Sequence, residues 1–84
     1  MSVRLIWDFF GTDARGTASH HNIHLQEFFT REGVGALELG VGSAGEGHAM
    51  SWCEVECSLE EMVSRALKPQ RRVGAANFDK VQWR

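Results

Sequence analysis

The chain has 84 residues, of which 43% are hydrophobic, 24% charged and 10% aromatic, with a formal net charge of −2, the composition of one small globular domain. No run approaches the roughly 18 to 20 consecutive apolar residues of a membrane span, which excludes a spanning helix. Residues 1–4 lead straight into strand-like sequence without the pattern of an export signal, so the cytoplasm is the expected compartment.

Residues 3–10 (VRLIWDFF) are β-branched and aromatic, stop at Gly11 and are apolar at every odd position. This predicts a first strand with its odd face inward. Thr12 or Asp13 can cap a helix that runs to about Arg31 and stops at Gly33 and Gly35. Within it Ala14, Ala18, His21, Leu25, Phe28 and Phe29 recur at steps of three and four, a stripe suited to covering a sheet.

In residues 36–42, Leu37, Leu39 and Val41 alternate with Glu38, Gly40 and Gly42, as in a half-buried second strand. The small, glycine-rich residues 43–47 turn the chain into a third strand over 48–57. A phosphate-loop reading of this glycine-rich stretch fails, because it joins two strands and carries Glu46. Ser58 and Glu61 match a capping box for a second helix that continues through Met62, Val63, Ala66 and Leu67 to Pro69.

Residues 72–78 can add a fourth strand, weakened by Gly74, Ala75 and Asn77. With it the order is βαββαβ, an α+β fold of the ferredoxin-like kind: an antiparallel sheet with two helices on one face. Without it the sheet has three strands. Residues 1–78 form the expected domain, and 79–84 a polar tail whose Trp83 needs somewhere to dock. Cys53 and Cys57 fall on one expected strand about 13 Å apart and cannot bridge each other there. They read as small buried apolar residues, not as a disulfide framework.

A hairpin about the glycines puts Leu37, Leu39 and Val41 on the helix-covered face with Ala49, Ser51, Cys53, Val55 and Cys57. The other face then collects Ile6, Phe10, Met50 and Trp52 among Arg4, Asp8, Glu38, Glu54 and Glu56. Those four apolar residues, uncovered by the chain's own helices, are the expected interface of a homodimer or a partner complex. An alternative cover is the C-terminal segment with Phe78 or Trp83. Single-stranded RNA is commonly read on such a sheet, but four carboxylates against Arg4 would repel phosphate, so nucleic acid is not the expected partner. The basic residues Arg65, Lys68, Arg71 and Arg72 read as charges that complement the end of the second helix.

Three of the four histidines lie on the first helix. His20, His24 and Glu27 share one face and form half of a candidate site for a divalent metal such as zinc, with His48 or a second subunit completing it. His21 falls in the apolar stripe and reads as a packed, hydrogen-bonded side chain. As catalytic candidates, His21 or His24 could pair with Asp8 as acid and base at the sheet edge. An Asp8 on the open face, however, is separated from the helix by the sheet. Cys53 as nucleophile is disfavoured by its core position. The leading expectation is therefore a homodimeric or partner-binding module that uses the open sheet face. The rival is a small-molecule or metal-dependent enzyme whose pocket is lined by histidines of the first helix.

Overall fold

Alternating apolar residues draw Ser2–Phe10 into strand β1, and the glycine at position 11 releases the chain into helix α1, Ala14–Glu32. Then come strands β2, Glu38–Gly45, and β3, His48–Glu56, helix α2, Cys57–Leu67, and strand β4, Arg71–Gly74. This computed structural model describes residues 1–74. The expected extension of the last strand past Gly74, the tail and Trp83 lie outside the described residues.

The four strands form one sheet in the order β2-β3-β1-β4, with every pair antiparallel. The molecule is thus an α+β domain, and the fourth strand is present, though four residues long. Register follows from the buried side chains. Val3, Leu5 and Trp7 face Val55, Cys53 and Ser51 across the β1–β3 ladder, and Leu39 and Val41 face Cys53 and Ser51 across β2–β3. A slip by one residue would expose this whole set.

Both helices pack on that face. Leu25, Phe28 and Phe29 of α1 and Val63 of α2 join Val3, Leu5, Trp7, Cys53 and Val55 in the main core, with Leu59, Met62 and Leu67 against it. The indole N–H of Trp7 donates to the Leu67 carbonyl at 2.9 Å, which ties the end of α2 to the sheet. Asn22 is buried within the α1 stripe, where the spacing of apolar residues predicts only His21 at that level.

Two helix starts differ from expectation. Asp13 occupies the N-cap of α1 without a side-chain cap hydrogen bond. Helix α2 begins at Cys57, not after Ser58, and Glu56 is its N-cap. The Cys57 N–H is already taken by the Met1 carbonyl, 3.0 Å away, and Glu61 reaches forward to Arg65 instead of back to Ser58. The capping box is therefore not formed. Cys53 is buried as expected, whereas Cys57 is exposed, because the third strand ends at Glu56 and Cys57 opens α2; both are free thiols.

Candidate functional site

The face of the sheet turned away from the helices is built by even positions of β1, β2 and β3 and by Arg71 and Val73 of β4. Its apolar residues differ sharply in exposure. Phe10 is 74% exposed, whereas Ile6 and Met50 are fully buried. Trp52 is half-buried: the Arg4 guanidinium lies over its ring, 4.2 Å from the centroid. Gly40, its cross-strand partner, leaves room for the ring: a Cβ there would sit 2.4 Å from the indole. Of the apolar surface expected at Ile6, Phe10, Met50 and Trp52, Phe10 is thus the exposed part, Trp52 is half-buried, and Ile6 and Met50 are buried. The Arg71 guanidinium reaches the Met50 sulfur at 2.9 Å.

Charges on this face are paired within the chain. Arg4 contacts Glu54 at 3.2 Å and Glu38 at 3.6 Å. Ser2 donates to Glu54 at 2.9 Å. Asp8 accepts from Arg71 through both carboxylate oxygens, at 2.9 and 2.7 Å, and from His48 Nε2 at 2.8 Å. The Asp8 backbone N–H donates to the Gln70 side-chain oxygen at 2.8 Å. Its carboxylate is only 9% exposed, against 27% for His48 and 43% for Arg71. Phe10 stacks on the His48 ring, with centroids 4.4 Å apart and planes at 16°. The result is an ordered aromatic–imidazole–carboxylate–guanidinium row along one edge of the open face.

Asp8 therefore meets His48, not His21 or His24. Asp8 lies on the open face and α1 on the other, so the sheet separates the acid–base couple proposed from sequence. The Asp8–His48 contact is a diagonal pair on one face: Asp8 sits opposite Met50, and Phe10 opposite His48. Strand alternation carries this signal, but it becomes readable only once β1 is known to pair with β3.

Beneath α1, His21 Nδ1 lies 3.0 Å from the Ser51 hydroxyl, and its ring packs against Trp7 and Phe9. The Asn22 amide donates to Ser51 Oγ at 3.2 Å, to the Gly40 carbonyl at 2.9 Å and to the Trp52 carbonyl at 3.3 Å. Burial, reinforced by nearby His24, lowers the His21 pKa below its ordinary value, so the neutral ring is favoured. A serine and a histidine in hydrogen-bond reach resemble a nucleophile and its base. Ser51, however, is wholly sealed from solvent, and the group serves to pin α1 to β2 and β3. Cys53 is equally sealed, and burial pushes its thiol up to about 12, the reverse of an activated nucleophile.

On the outer face of α1, His20 Nε2 and His24 Nε2 are 3.0 Å apart. Glu27 meets the opposite nitrogen, His24 Nδ1, at 3.1 Å. Among the described residues no three histidine, cysteine or acidic side chains converge on a point that could hold a metal ion, so Glu27 does not join the two histidines as a third ligand. His48 is engaged by Asp8 on the far side of the sheet.

The basic residues at the end of α2 are largely neutralised. Arg65 pairs with Glu61, Arg72 with Glu60 and Arg71 with Asp8. None of these three presents an unpaired cation for phosphate. Among the described residues, no helix is long and apolar enough to cross a membrane. Comparison with protein-family models, with curated proteins and with solved structures finds no match, so the functional reading rests on this geometry alone.

Proposed function

We propose that the chain is a ferredoxin-like α+β sandwich that works in the cytoplasm as a homodimeric binding module, two copies meeting through their open sheet faces. The single observation that carries this reading is Phe10, a large apolar side chain 74% exposed at the end of β1, on the sheet face that no helix among the described residues covers. Two further features support it. The ionic groups around Phe10 and Trp52 are matched within the chain, so a second surface can cover them without leaving an unpaired charge. The same pairing weakens any claim by nucleic acid, since Arg4 and Arg71 are held by carboxylates. Apolar aromatics inside a polar rim are the usual anatomy of a protein interface.

An enzyme built on the first helix has less support, because Asp8 is on the wrong face and Ser51 is closed to substrate. Sedimentation velocity across micromolar concentrations tests the proposal. The expected species has twice the 9.4 kDa chain mass and falls to the chain mass in Phe10→Asp and in Trp52→Glu. Phe10 is exposed, so its variant keeps the fold and isolates the effect on association. A wild-type chain that sediments as a monomer throughout, or a dimer unaffected by Phe10→Asp, overturns the proposal.

A further inference from the structure

The outer face of α1 carries a feature independent of the sheet face. His20 and His24 are one helical turn apart, and their Nε2 atoms converge to 3.0 Å with the rings nearly perpendicular, at 83°. Two ligand nitrogens at bond lengths of about 2.1 Å and a separation of 3.0 Å subtend close to 90° at a metal. A tetrahedral angle would need about 3.4 Å at the same bond lengths. Right-angled ligation belongs to square-planar and octahedral ions, above all Cu2+ and Ni2+, for which imidazole is a suitable donor.

His24 Nδ1 lies 3.1 Å from the Glu27 carboxylate, so in the tautomer that carries its proton on Nδ1, His24 donates to Glu27 and keeps its Nε2 lone pair for a metal. Ligation by His20 Nε2 uses the neutral ring with its proton on Nδ1. A carboxylate on the outer nitrogen of a ligating histidine orients the ring and raises its basicity.

We propose that His20 and His24 form a two-nitrogen chelate for Cu2+ or Ni2+, with water completing the coordination and Glu27 acting as a positioning residue on His24. Glu27 itself is not a ligand.

The test uses the full untagged chain and titrates Cu2+, Ni2+ and Zn2+ separately by calorimetry, with electron paramagnetic resonance of the copper form. One Cu2+ per chain is expected, with two equatorial nitrogens in the spectrum and weaker binding of Zn2+ than of Cu2+ or Ni2+. His20→Gln and His24→Gln each cut copper affinity by about 100-fold or more, because a chelate becomes a single contact. Glu27→Gln keeps two nitrogens but loses about tenfold in affinity. The three side chains lie on an exposed helix face, and unchanged circular dichroism verifies each variant. Copper affinity that survives both histidine substitutions overturns the site. A spectrum with fewer than two nitrogens, or tightest binding of Zn2+, overturns the right-angled chelate. Full retention of affinity in Glu27→Gln overturns its positioning role.

Discussion

Single side chains decide where the two faces of this sheet differ. Gly40 is the clearest case, because Trp52 lies across its Cα and a methyl group would overlap the indole. Gly40→Ala is expected to lower unfolding free energy by about 1–3 kcal/mol, the cost typical of overpacking, measured as a lower urea midpoint. His21 gives a pH signature. Its pKa in the folded chain is below the ordinary 6.5, so between the two values the unfolded chain binds more protons. Stability is complete above about pH 6.5 and falls as pH drops through the folded-state value. Denaturation midpoints across that window should show this slope, and His21→Gln should flatten it. His21 in the apolar stripe is readable from spacing alone. Asn22 is not, since nothing in a list of residue types says that an amide will be buried to reach two strand carbonyls.

At the scale of elements, both helices and the first three strands are legible because their periods are clean: two along the strands, three to four along α1. The last strand is short and glycine-containing, and its place beside β1 depends on pairing with Val3 to Ile6, a contact distant in sequence. The start of α2 differs from the expectation because Ser58-Leu59-Glu60-Glu61 has the residues of a capping box, whereas the backbone of Met1 satisfies the N–H of Cys57. Its other end offers a test. Lys68 takes a left-handed conformation, φ 50°, at the C-cap, where glycine carries no Cβ penalty. Lys68→Gly should raise the melting temperature, a gain of up to about 1 kcal/mol. Inside the core, Leu25→Ala should cost about 3 kcal/mol by chemical denaturation, since Leu25 is 1% exposed between α1 and the sheet.

For the whole molecule, the two-layer arrangement leaves one sheet face without a helix among the described residues, and the chain's size makes a partner energetically useful. A domain of this length buries a modest fraction of its surface, and association adds to it. The sequence assigns the right residues to that face but overstates how greasy it is, because ion pairing across strands depends on register. Arg4 on Trp52 and Arg71 on Asp8 turn a presumed apolar patch into a matched polar surface with Phe10 standing out of it. Mixed isotope labelling tests the account most directly, with one copy carrying 13C and its partner unlabelled, by filtered nuclear Overhauser spectra that report only contacts between copies. Cross-peaks from the Phe10 ring and the Trp52 indole to residues of the open face in the other copy are the predicted result. Spectra empty of contacts between copies, or contacts confined to the outer surface of α1 around Ile23, a second exposed apolar side chain at 53%, would contradict it.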